Sequence, residues 1–328
     1  MVISKTPVRI SFFGGGTDYP EFFKINGGNV ISTTIDKFIY VTVNRISGLL
    51  DHKYRIAYSK LELCNSIDEI THPVVREVIR LMNIDYGLEI NIISDLPART
   101  GIGSSSSFTV GLLYALYALE GKFVGKHQLA MEAIHIEYNI LKERVGVQDQ
   151  LAASYGGLNI MKFDNSGLSV NPLIISAKRR IELEQNLIIF YTGINRYASE
   201  ILQEQVSNTI EHKIDAQLFE MKRLVDEGLN TLCDENKNLD EFGKLLHESW
   251  KMKKSLSSSV STSFLDEIYN VALHNGAVGG KLLGAGGGGF FLFYVPTSNR
   301  KGLIKKLENL HTIDFKFENN GTQIIHYH

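Results

Sequence analysis

Cysteine is nearly absent from this 328-residue chain: only Cys64 and Cys233 occur, far apart in sequence. Two such residues cannot build a disulfide framework, so a reducing cytoplasm is expected and both thiols read as inert core groups. Long apolar runs are missing as well. The longest candidate, residues 110–119, carries two tyrosines and a glycine and reads as a core helix rather than a span of about 20 residues. The first residues lack the charged-then-apolar order of a signal peptide. No membrane partner is therefore expected. Excess charge of one sign is also lacking, because 34 basic and 36 acidic residues leave a net charge of −2. Without a basic field, nucleic acid is not an expected partner. The ten histidines are scattered and none sits in a His-Glu-x-x-His pattern. His326 and His328 read as tail surface, and the single tryptophan, Trp250, as a helix-packing residue. A Gly-x-x-x-x-Gly-Lys-Ser/Thr loop is absent, as are the His-Arg-Asp and Asp-Phe-Gly tripeptides of protein kinases.

What is present is an ordinary globular balance, 44% hydrophobic and 21% charged, in a chain long enough for two domains. Residues 8–13, 35–43 and 88–93 are strand-like. Apolar residues at helical spacing mark helices over 104–120 and 126–143, and a shorter one over 147–155 ends at Gly156-Gly157. Residues 158–197 return to strand-like runs. Amphipathic helices follow around residues 210–224, 242–249 and 264–274. The tail reads as a glycine loop, a strand over 290–295, a helix over 300–310 and two strands. This order predicts an α+β chain with a first domain over 1–180 and a smaller second domain over 181–328. No repeat, low-complexity tract or proline-rich linker sharpens that boundary.

Three loops carry the chemistry. The first, Leu96-Pro97-Ala98-Arg99-Thr100-Gly101-Ile102-Gly103-Ser104-Ser105-Ser106-Ser107, lies between a strand and an amphipathic helix. Its glycines permit close backbone approach, and its serines stand where free N–H groups and the helix dipole attract anions. Pro97, Gly101, Gly103, Ser104, Ser105 and Ser106 therefore form a candidate nucleotide-phosphate cradle, and a serine hydroxyl suits Mg²⁺. The second, Lys281-Leu282-Leu283-Gly284-Ala285-Gly286-Gly287-Gly288-Gly289, satisfies Gly-x-Gly-x-x-Gly. A strand rather than a helix follows it, which excludes a dinucleotide fold. Gly284, Gly286 and Gly287 are read as points of close approach to the substrate, with a loose hairpin as the alternative. The third, Arg9-Ile10-Ser11-Phe12-Phe13-Gly14-Gly15-Gly16-Thr17-Asp18, ends a strand. Gly14, Gly15 and Gly16 could bring the chain near a sugar while Asp18 accepts hydrogen bonds from its hydroxyls. A plain turn reads equally well.

In this order the segments resemble the superfamily of galactokinase, homoserine kinase, mevalonate kinase and phosphomevalonate kinase. Pro97 to Ser105 matches its Pro-x-x-x-Gly-Leu-Gly-Ser-Ser motif with Ile102 for leucine, and Lys281 to Gly289 is similar to its third motif. Against the galactokinase Arg-Val-Asn-Leu-Ile-Gly-Glu-His-Thr-Asp, residues 9–18 keep the spacing but place Gly15 and Gly16 at the Glu-His pair, a departure that argues against galactose. Phe-Phe-Gly-Gly-Gly-Thr-Asp-Tyr with the serine loop is most similar to D-glycero-D-manno-heptose 7-phosphate kinases. Fucokinase-like enzymes are next.

The resemblance implies a domain like ribosomal protein S5 domain 2 packed on a ferredoxin-like domain, with ATP and substrate in the cleft. It implies that Asp149, in Gly146-Val147-Gln148-Asp149-Gln150, acts on the attacking hydroxyl. It also implies that Glu137 binds Mg²⁺ and that Arg9 reaches the reacting centre. Ser105 is the leading candidate for the metal hydroxyl, with Ser104 and Ser106 close behind. Arg99 and Arg196 are candidates for a substrate phosphate, whereas Lys178-Arg179-Arg180 reads as a solvated basic run. The implied activity is transfer from ATP to the C1 hydroxyl of D-glycero-D-manno-heptose 7-phosphate. The 1,7-bisphosphate product would feed nucleotide-activated heptose for a surface glycan. A fucokinase-like sugar 1-kinase and a non-catalytic ATP- and sugar-binding sensor are the alternatives. A decarboxylase of the same superfamily lacks a supporting pattern, and a homodimer is left open.

Overall fold

The computed structural model describes residues 1–195 and 198–328. Two sheets organise it. The larger has nine strands built around the long antiparallel pair Val2–Phe13 and Gly28–Arg45. Gly28–Arg45 is long enough to pair with Leu88–Ser94 near its end and with Leu158–Asp164 near its start. The smaller sheet has four strands in the order His311–Ile313, Leu187–Tyr191, Phe290–Tyr294, Gly279–Leu282. The arrangement is α+β, as the element order predicts.

The helix Ser104–Leu119 lies in the core, with Ser106 to Leu113, Ala115 and Leu116 buried. A helix apolar on nearly every side has to be covered on nearly every side. Val147 stands just before the helix Gln148–Tyr155. Trp250, on the helix Asp240–Lys254, is fully buried, the packing role expected of it. Phe242 of that helix packs edge-on against Phe12 and Phe13, with ring centroids 5.3 and 5.0 Å apart, and so ties the second half of the chain to the first strand.

Five expectations need correction. The helix over 126–143 is α-helical only at Lys126–Ile134 and continues as a π-helical turn, His135–Ile140. A helix, Ala177–Asn186, interrupts the stretch read as strands. On it Arg179 is buried, with its guanidinium donating to the carbonyl of Thr231 at 2.6 Å, so the basic run is not wholly solvated. Cys64 is buried but Cys233 is exposed. Finally, the tail returns to the larger sheet. Phe317–Glu318 pairs with Gly28–Arg45, and Gln323–Tyr327 pairs with Val2–Phe13, so the terminal strands do not stay with residues 181–310.

Candidate active site

The serine loop delivers an uncapped helix start. Gly103 precedes Ser104–Leu119 with φ 75° and offers no side chain to its first N–H groups. No acid occupies the first turn. Helix starts usually recruit a cap or a carboxylate. A 16-residue helix with neither leaves its donors and its positive end for an anion from outside the chain. Ser104 is half-buried and Ser105 exposed at this entrance, while Ser106 is buried.

Asp149 stands beside it. A side-chain carbon placed on Gly103 would come within 3.2 Å of Asp149 Oδ2 and 3.3 Å of Arg9 Cγ. Arg9 grips this carboxylate at two points, Nε to Oδ1 at 2.8 Å and Nη2 to Oδ2 at 2.9 Å. Its Nη1 donates to the carbonyl of Gly101 at 2.6 Å. One guanidinium thus fixes both the acid and the serine loop, a use that suits its planar fork. Asp149 keeps 23% of its side-chain exposure, so one side of the carboxylate remains open.

Glu137 is different. It is completely buried on the π-helical turn, and such turns locally rotate side chains out of helical register. Ser106 donates to Oε2 at 2.8 Å, Gln150 to Oε2 at 2.5 Å and Thr109 to Oε1 at 2.6 Å. Burial outweighs these neutral donors and pushes its pKa up to about 7. Ser106, rather than the exposed Ser105, is the serine that touches Glu137.

Asp18 is buried against Gly146. Its carboxylate accepts from the backbone of Gly16 at 2.9 Å and from Nε2 of Gln148 at 3.0 Å. Burial and the nearby Asp149 charge raise its pKa. Gln148, which donates to Asp18, directly precedes Asp149, so the two acids lie close together.

Two family models match the chain in succession, the GHMP kinases N terminal domain over residues 70–157 and GHMP kinases C terminal over residues 229–310. The D-glycero-alpha-D-manno-heptose 7-phosphate kinase of Campylobacter jejuni is 30% identical, over 98% of this chain and 97% of its own length. The chain belongs to the GHMP kinase family. A crystal structure of a D-glycero-D-manno-heptose 1-phosphate kinase from Bacteroides thetaiotaomicron shares the fold at a TM-score of 0.73 and 26% identity, covering 100% of both chains. The bifunctional fucokinase/GDP-fucose pyrophosphorylase of Arabidopsis thaliana is 26% identical over 95% of this chain and 32% of its own length. These relatives make the chain a sugar kinase of the GHMP family, an enzyme group that takes phosphate from ATP. No helix among the described residues is long and apolar enough to cross a membrane.

The density of glycine in the third motif of this GHMP kinase has an internal explanation. A side chain on Gly284 would collide with Gly101, one on Gly289 with the carbonyl of Thr100, and one on Gly286 with the backbone of Val260. Gly287 donates its N–H to Val260 at 2.9 Å. The close approach read from these glycines is thus made to the chain itself, where the glycine loop locks against the serine loop. Gly14 and Gly16 are accounted for in the same way, by the carbonyl of Asn29 and by a φ of 106° against Leu218 and Gln205. Pro97 and Arg99 lie exposed at the loop's outer edge, Arg99 with a φ of 63°. Arg196 falls outside the described residues.

Two buried lysines at this junction are not among the residues that the sequence points to. Lys253 is buried and donates to the carbonyls of Leu282, at 2.8 Å, and Gly284. Lys281 is buried and donates to the carbonyl of Phe12 at 2.9 Å, stitching the third motif to the first. Burial, followed by the Arg9 charge, lowers the Lys281 pKa to about 7. A lone lysine between Gly280 and Leu282 in an otherwise apolar strand was the signal for one. Lys253, among lysines at 251, 253 and 254, gave none.

Proposed function

We propose that this kinase transfers the terminal phosphoryl group of ATP to the anomeric hydroxyl of D-glycero-D-manno-heptose 7-phosphate. The observation that carries the chemistry is the Arg9–Asp149 pair set directly beneath an uncapped helix start. The heptose assignment draws on the Campylobacter relative, whose name puts the existing phosphate on carbon 7. The Bacteroides relative's name puts it on carbon 1.

In this reading the first-turn N–H groups of the helix Ser104–Leu119, with Ser104 and Ser105, bind the triphosphate. Asp149 accepts a hydrogen bond from the attacking hydroxyl and orients it. As the new O–P bond forms and the bond to the ADP oxygen breaks, Asp149 takes the hydroxyl proton. A late proton transfer suits a loose phosphoryl transition state. Arg9 holds Asp149 in position through its two hydrogen bonds. Asp18 accepts hydrogen bonds from other sugar hydroxyls, and Arg99 and Arg196 serve the substrate's own phosphate.

The donor set fits Mg²⁺. Glu137 is a buried carboxylate met only by neutral groups, which a divalent cation would complement. Among the described residues no cluster of three or more acidic, histidine or cysteine side chains forms a closed metal cage. Mg²⁺ commonly binds through one or two carboxylates together with substrate phosphates. Glu137 with Ser105 or Ser106 would hold it, and when bound it neutralises triphosphate charge.

A coupled ADP-release assay over D-glycero-D-manno-heptose 7-phosphate, the corresponding 1-phosphate, unphosphorylated heptose and L-fucose tests the assignment. The 7-phosphate is expected to give the highest kcat/KM, by at least about tenfold, equivalent to about 1.4 kcal/mol. Preference for L-fucose would move the enzyme to the fucokinase reading, and preference for the 1-phosphate would move the reacting carbon.

A further inference from the structure

Gly15 is a glycine that the chain itself does not require. Its φ lies outside the left-handed region, unlike those of Gly14 and Gly16. A side-chain carbon added there would meet only Gln148 Nε2 and Ser11 Oγ, each at an ordinary 3.7 Å. Alanine would fit the backbone and the space, so the room above Gly15 is not used by any described part of the chain.

The two atoms bordering that room belong to side chains with unmet hydrogen-bonding capacity. Ser11 is 6% exposed, and its Oγ has no hydrogen-bond partner among the described residues. Gln148 is 8% exposed; its amide nitrogen serves Asp18, but its Oε1 has no partner among them. Buried polar atoms are ordinarily paired, and orphaned ones point to a partner from outside the chain. Gln148 immediately precedes Asp149 in sequence, which places this group next to the acid that meets the acceptor.

The chemistry of the group selects what it takes. Ser11 Oγ can donate and accept, Gln148 Oε1 accepts, and the Asp18 carboxylate beside them disfavours a phosphate. Sugar hydroxyls satisfy all three conditions. We propose that Ser11 and Gln148 form a hydroxyl-recognition subsite for the acceptor, remote from the hydroxyl that reacts, and that glycine at position 15 keeps it open. This inference rests on the sugar-kinase reading and adds specificity residues to it.

The test uses the full-length enzyme and the acceptor in the four-compound panel that the wild type phosphorylates best. Gly15→Ala and Gly15→Val should raise the acceptor KM about tenfold and more than tenfold, with the ATP KM within twofold of wild type. Ser11→Ala, which removes one neutral hydrogen bond, should raise it about threefold to tenfold, and Gln148→Met, which also takes the amide donor from Asp18, by at least as much. Thermal unfolding of Gly15→Ala at the wild-type temperature would show that the fold is intact. An acceptor KM unchanged within twofold in both Gly15→Ala and Ser11→Ala overturns the subsite. Equal rises in the acceptor and ATP constants also overturn it, because they report distortion of the loop. Absence of wild-type turnover on every panel member overturns the sugar-kinase reading, and the subsite with it.

Discussion

The two carboxylates behind the helix entrance are held in opposite ways. Asp149 is gripped by a guanidinium through two hydrogen bonds and keeps an open side. Glu137 is sealed from solvent and surrounded by two hydroxyls and an amide, none of them charged. The first environment is complete before any ligand arrives. The second carries a carboxyl whose pKa burial has raised to about 7, and in the proposed function a cation would complete it. Sequence position alone assigns both residues to one site. Their surroundings differ in the way the proposed roles need, an open carboxylate for a hydroxyl and a sealed, uncharged one for a metal.

Glu137→Gln should separate the two roles most strongly. Its amide keeps the shape of the carboxyl, and the neighbouring hydroxyls can turn to accept from its nitrogen, so folding should persist, with thermal unfolding within a few degrees of wild type. Turnover at saturating ATP should fall about a hundredfold, and the Mg²⁺ concentration for half-maximal rate should rise. Retention of the wild-type Mg²⁺ response would assign the metal elsewhere. A smaller effect concerns Lys281, the buried cation that joins the first and third motifs. Its folded pKa of about 7 lies below the ordinary 10.5, so across that window the unfolded chain binds the proton more readily. Stability contributed at this position therefore rises with pH from about 7 towards 10.5, by up to about 1.4 kcal/mol per pH unit. Denaturant titrations from pH 7 to 9 should show that slope reduced in Lys281→Met. An unchanged slope would mean that Lys281 carries no depressed pKa.

Much of this site was legible. The serine loop stood between a strand and a periodic apolar helix, and the helix begins at Ser104 as that pattern requires. Arg9 and Asp149, 140 positions apart, meet through a two-point ion pair that the family resemblance anticipates in kind. Other features depend on contacts that one-dimensional patterns do not encode. A π-helical turn has no periodic signature in six residues, so the sequence ranks Ser105 ahead of Ser104 and Ser106 without showing that Ser106 is the one that touches Glu137. Glycine marks close approach without saying to what, so in the sequence the glycines of the third motif point to a ligand. Gly101 and Gly284 meet across the two sheets, and each explains the other. Sequence order puts the tail strands with their neighbours, whereas Gln323–Tyr327 pairs with the first strand, some three hundred residues upstream. Long-range pairing of that kind is the least local contact a chain can make.

The central claim is that a carboxylate pinned by Arg9 serves the acceptor hydroxyl while the serine-lined helix start holds the nucleotide. Asp149→Asn tests it most directly, with steady-state turnover on the best acceptor and calorimetric ATP binding measured on the same preparation. The expected result is a kcat at least about a thousandfold lower, with the ATP dissociation constant within threefold of wild type. Turnover within tenfold of wild type, with nucleotide binding intact, would contradict it.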